Sequence, residues 1–196
     1  MKLCIPYNEK DLAFFKCAAK EFGIDFVSPP SAGKYTAEIG EAFKLCDMNE
    51  NQISALGSCA ECYYLGADTA LICDDRDDCP ERTAALIRNA LINNSIKMSV
   101  PAIGTKELFA FFKEQGKLRL INYFETRKNF NQALKLRNEY SEQRERILAK
   151  NNSKSNMIVK IYDKNILLAK DLYSLKLLYR LYIKRLKNLE TDYIPA

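Results

Sequence analysis

The chain has 196 residues and no histidine, which removes Ser-His-Asp and Cys-His catalysis and imidazole metal ligation and leaves cysteine and carboxylate chemistry. With 47% hydrophobic residues it can bury one substantial core and an appendage, and no run approaches the ~18 consecutive apolar residues of a membrane span. The net charge of +5 is unevenly spread: residues 1–115 carry 12 Lys/Arg against 17 Asp/Glu, a balance of −5, whereas residues 116–196 carry 18 against 8, a balance of +10.

Lys2 to Ile5 is a short apolar run stopped by Pro6, and from Asp11 to Phe22 the residues Leu12, Phe15, Ala18, Ala19 and Phe22 recur at helical spacing. A strand feeding a helix is predicted. Gly23 closes that helix at the position where glycine is favoured, and Ile24 to Val27 gives a second strand running into Pro29-Pro30. A second helix is expected from Thr36 to Leu45, and Asn49 with Gln52 has capping-box spacing for a third. On that third helix Ile53, Leu56, Gly57, Ala60 and Tyr64 gather on one face, with Cys59 to the side and Cys62 roughly opposite.

Thr69 to Cys73 reads as a buried strand, followed by the acidic loop Asp74, Asp75, Asp77 and Asp78 at its C-terminal end, the edge where open α/β sheets place their sites. Pro80 suits the first position of a helix running to Asn93, which makes Cys79 its N-cap. A fourth strand at Ser99–Ile103 and a helix at Thr105–Glu114 complete a strand–helix alternation that predicts an α/β fold: a Rossmann-like, mostly parallel sheet flanked by helices over residues 1–115.

The frame FGIDFVSPPSAGKYTAEIG, then Cys46, then LGADTALI, then Cys79, resembles the accessory proteins related to 2-hydroxyacyl-CoA dehydratase activases, the CoA protein activase-like family. Pro29, Pro30, Thr36 and Gly40 match its PP and T-x-x-x-G pattern, Gly66-Ala67-Asp68 its GAD, and Cys46 and Cys79 its two cysteines, over about residues 1–95. The resemblance implies a Rossmann-like fold, a [4Fe-4S] cluster and a part in low-potential electron transfer for acyl-CoA dehydration. Where that family has Cys-x-Pro-x-Lys this chain has Cys46-Asp47-Met48-Asn49-Glu50, and where it has Gly-Pro-Cys-Arg this chain has Asp77-Asp78-Cys79-Pro80.

The residues themselves make a parallel case. Cys46, Cys59, Cys62 and Cys79 are four soft sulfur donors that could take a cubane cluster or tetrahedral zinc, against a reading of unliganded cysteines. Cys4, Cys17 and Cys73 sit among apolar neighbours and read as core residues. The acidic loop could bind Mg2+ or Ca2+, with a solvated loop as the alternative. The seven cysteines, and a start lacking a secretory apolar run, fit a reducing cytoplasmic setting.

Residues 116–196 form the basic helical extension. Phe130, Leu134, Arg137, Tyr140, Arg144 and Ile147 keep three-four spacing in a long helix over 115–150, and Asn151 to Asn156 reads as a loop. Beyond it Asn165, Leu168, Leu172, Leu175, Tyr179, Tyr182, Leu186 and Leu189 alternate spacings of three and four in a coiled-coil or helical-hairpin seam. Leu177, Leu178, Leu181 and Ile183 widen the apolar face past one seam, pointing to a protein partner or a second copy of the chain, while the surrounding cations suit an acidic protein, RNA or an anionic membrane surface. Nothing matches a nucleic-acid motif. Two functions follow from the sequence: an iron-sulfur accessory protein related to dehydratase activation, or a non-catalytic interaction protein that keeps the α/β scaffold and binds through its basic helices.

Overall fold

The computed structural model describes residues 1–6, 9–30, 33–73, 80–117, 123–150 and 153–191. The chain divides into two compact units, residues 1–9 with 22–118 and residues 10–21 with 119–196.

The first unit contains β1 (Lys2–Cys4), β2 (Asp25–Phe26), α2 (Lys34–Phe43), α3 (Glu50–Tyr64), β3 (Thr69–Ala70), α4 (Pro80–Asn93) and α5 (Leu108–Gln115); α1 (Glu9–Glu21) lies between β1 and β2 in the chain. The strands are parallel in the order β2-β1-β3, with Leu3 opposite Phe26 on one side and Thr69 on the other. Two parallel bridges, Thr69 with Ser99 and Ile72 with Ala102, place the 99–102 segment beyond β3. The sheet is therefore small: the expected strand at 69–73 narrows to Thr69–Ala70 plus a bridge, and the expected fourth strand is a pair of bridges.

Local chemistry explains most of the boundaries. Gly23 turns the chain after α1 at φ +65°, a left-handed conformation that a side chain would strain. Asn49 Oδ1 accepts from Gln52 N at 2.9 Å while Asn49 N donates to Gln52 Oε1 at 3.0 Å, the reciprocal cap that starts α3. The core joins Leu56, Cys59, Ala60 and Cys62 of α3 to Cys4 and Ala70 of the sheet and to Ile87 and Leu91 of α4.

The second unit contains α1, α6 (Tyr123–Ala149), α7 (Ser153–Ile166) and α8 (Leu172–Thr191). The β-α-β unit expected from the sequence is present, since α1 joins the parallel strands β1 and β2, and α1 also packs within the helical unit: Phe14 meets Phe130 edge-on at 5.2 Å, and Cys17 Sγ donates to the Ala169 carbonyl at 3.6 Å. Leu172, Leu175, Tyr179, Tyr182 and Leu186 form the buried side of α8, as the seam predicts. The seam does not continue through 167–171. There the Asp171 side chain accepts from Ser174 N at 2.7 Å and starts a new helix, and Leu168 is left 75% exposed. Of the expected loop at 151–156, residues 153–156 belong to α7, which begins at Ser153, and residues 151–152 lie outside the described residues.

Candidate functional site

The packing of α2 on α3 fixes the geometry around the expected cysteine site. Gly40 and Gly57 let the two backbones touch: a Cβ on Gly40 would collide with the Ile53 carbonyl, and one on Gly57 with the Thr36 carbonyl. Thr36 Oγ1 donates to Glu61 Oε2 at 2.8 Å across the same crossing. With α4 also packed on α3 and β1 beneath it, α3 has almost no outward face. Its wheel positions suggest an exposed flank for Cys59 and Cys62, but both thiols are fully buried.

These interior thiols form a small group. Cys4 and Cys62 share a side-chain hydrogen bond, and that bond, followed by burial and the nearness of Cys59, holds the Cys4 thiol well above the usual cysteine range. Burial first, then the neighbouring Cys62, pushes Cys59 up as well. In the helical unit, burial pushes Cys17 up to about 11. Thiols raised in this way stay protonated near neutrality and are poor nucleophiles.

Cys46, by contrast, is exposed, in the turn between α2 and α3. Cys73 is half-buried just past the Ile72 bridge. Cys79, with the acidic loop Asp74–Asp78, lies outside the described residues. Among the described residues no three Cys, Asp or Glu side chains are placed to hold a metal ion. Of the four expected sulfur donors, those of Cys59 and Cys62 pack among Leu56, Ala60 and Ile87.

The helical unit offers a different surface. On α8, Tyr173 is 63% exposed, Leu177 48% and Leu181 43%, a row at i, i+4 and i+8 opposite the buried seam. Arg180, Lys184, Arg185 and Lys187 are exposed between and beside them, and no Asp or Glu occurs from Leu172 to Leu189. Two of the α8 cations are engaged within the unit: Lys176 turns inward and donates to Asn129 Oδ1 at 2.6 Å and Gln132 Oε1 at 3.2 Å, and Lys187 donates to Glu139 Oε1 at 2.7 Å. The widened apolar face of the sequence thus resolves into buried Ile183, half-buried Leu178, and Leu177 and Leu181 of the exposed row.

Two acid–base pairs went unread in the sequence because they occupy positions that periodicity assigns to apolar contacts. Arg137 Nε lies 3.0 Å from Asp11 Oδ1, and Arg144 Nε donates to Asp163 Oδ2 at 2.9 Å while Tyr140 Oη donates to Asp163 Oδ1 at 2.9 Å. A charged residue in an apolar row, with an opposite charge elsewhere in the chain, was their only signal. Among the described residues, no helix is long and apolar enough to cross a membrane. Compared with family models, curated proteins and solved structures, the chain matches none.

Proposed function

We propose that this chain is a non-catalytic cytoplasmic interaction protein, in which a Rossmann-like α/β unit serves as scaffold and the basic helical unit docks an anionic partner. The observation that carries the reading is the exposed face of α8, where Tyr173, Leu177 and Leu181 alternate with cations and no carboxylate intervenes. Exposed apolar side chains ringed by one sign of charge are the mark of an interaction surface. The strand order β2-β1-β3 with the 99–102 segment beside β3 supports the scaffold part, since 2-1-3-4 is the order of one common doubly wound sheet. Pairing of two α8 faces in a homodimer is opposed by their like charge.

The test is salt elution from an immobilised polyanion. Arg180→Glu with Lys184→Glu should elute at clearly lower salt than Lys97→Glu with Lys106→Glu, which makes the same change in net charge on exposed positions of the other unit. Equal elution of the two double variants would overturn the reading.

A second reading retains the iron-sulfur accessory function through Cys46 and Cys79. It is favoured by the exposure of Cys46, which leaves that sulfur accessible to a metal. Iron, sulfide and zinc analysis of protein purified without oxygen tests it, and a colourless, metal-free protein rejects it.

A further inference from the structure

The charge pattern of α8 continues on α7. Met157 and Ile161 are exposed one turn apart, Leu168 is exposed just past the helix end, and Lys154, Lys160 and Lys164 are exposed around them. Residues 153–189 contain nine Lys/Arg and two Asp/Glu, and both acids are engaged within the unit: Asp163 with Tyr140 and Arg144, Asp171 with Ser174. Tyr162 and Tyr182 stack at 4.3 Å, fixing the two helices side by side. Both outward faces therefore combine apolar side chains with an excess of cations, of which Lys187 is paired with Glu139 of α6.

We infer that α7 and α8 together bind the surface of an anionic phospholipid bilayer, which deepens the docking function proposed above and rests on it. A bilayer suits this pattern for three reasons. The apolar residues stand singly, four apart, on convex helix faces with cations between them, so each could enter the headgroup layer while the long Lys and Arg chains reach upward to phosphate. Tyr173, half apolar and half polar, is the kind of residue that settles at that boundary. The cytoplasmic leaflet supplies the negative surface that the cations require. A second copy would bring the same positive charge, and an RNA would have little use for Leu177, Leu181, Met157 and Ile161.

Co-sedimentation of the full chain with vesicles separates the alternatives. The protein should pellet with vesicles of two-thirds phosphatidylcholine and one-third phosphatidylglycerol, and remain in solution with phosphatidylcholine alone. Lys184→Ala with Arg185→Ala should weaken binding about thirtyfold, from the contribution of each cation near an anionic surface. Leu177→Ser with Leu181→Ser should weaken it about tenfold through lost apolar burial, with no change in elution from the polyanion, which has no apolar interior. The variants alter exposed positions, and circular dichroism checks that they fold. Failure to bind the phosphatidylglycerol vesicles, or unaltered binding by the leucine variant, overturns the lipid inference; if elution still depends on Arg180 and Lys184, the docking function survives with an acidic protein or nucleic acid as partner. If that dependence is absent too, both fall.

Discussion

Asp11 and Arg137 face one another at 3.0 Å in the interior of the helical unit, and the same guanidinium stands 5.7 Å from the ring centre of Phe14 and 5.9 Å from that of Phe15. One cation thus answers a buried carboxylate and lies against two aromatic faces, which explains how an arginine holds a place in the inner row of α6. Removing one partner leaves the other charge buried and unpaired. Arg137→Ala and Asp11→Ala should each cost about 3–5 kcal/mol in urea unfolding, whereas Asp11→Leu with Arg137→Met should recover most of that loss. Single-variant losses under about 1 kcal/mol would show that the pair is solvated and of little consequence.

The α2–α3 crossing depends on two missing side chains. Gly40→Ala and Gly57→Ala would each drive a methyl group into a backbone carbonyl, of Ile53 and of Thr36, and carbonyls of a packed helix have little room to retreat. Each should lose about 1–3 kcal/mol or more by overpacking, seen as a lower thermal midpoint. Gly104→Ala, where the nearest atom to the added carbon is a glutamate side chain at 3.9 Å, is the control and should change little. A midpoint for Gly57→Ala equal to that of the control would mean that the two helices are not so closely packed.

Sequence reading recovered the parts of this fold that local chemistry dictates. The Asn49–Gln52 cap, Pro80 at the head of α4, Gly23 after α1 and the inner row of α8 all announce themselves within a few residues. What it lost depends on partners distant in the chain. A helical wheel sets Cys59 to the side of the apolar face and Cys62 roughly opposite it because it counts apolar residues on one helix, and α3 packs against α2, α4 and Cys4 of β1 together. Helix α1 is the crossover that strand–helix–strand order predicts, but its partner Phe130, more than a hundred residues away, is not legible from that order. The exposed row on α8 was visible as an excess of leucines, but only its exposure distinguishes a docking face from a wider core.

Thiol chemistry offers a direct check on the cysteine site. In native protein purified without oxygen, Cys46 should be alkylated quickly, while Cys4, Cys59 and Cys62, buried and in part raised in pKa, should label only after denaturation. Peptide mass spectrometry reads each position separately. Rapid labelling of Cys59 or Cys62 would mean that the α3 core opens readily, against its burial here. Protection of Cys46 that a chelator removes would count for the iron-sulfur reading and against the scaffold one.

The start of α8 should register acid. Hydrogen bonds from Ser174, first from its backbone N–H and then from its hydroxyl, hold the Asp171 carboxyl below its ordinary value. Because the folded pKa is depressed, the stabilisation is present at pH values above the unfolded pKa of about 3.9 and is lost as pH falls through the folded value below it. Ser174→Ala removes the hydroxyl, so its acid dependence should weaken. Asp171→Asn can still cap the helix but cannot titrate, and its stability should fall less steeply than the parent's across the same interval; Asp171→Ala loses the cap and should cost about 0.5–2 kcal/mol even at neutral pH. Denaturant midpoints measured from neutrality to strong acid compare all three with the parent, and a parallel decline for Asp171→Asn would place the acid sensitivity at another carboxylate. Since Leu172 to Leu189 carry the exposed face, fraying of this first turn by Asp171→Ala should also weaken retention on the polyanion, though less than the loss of Arg180 and Lys184.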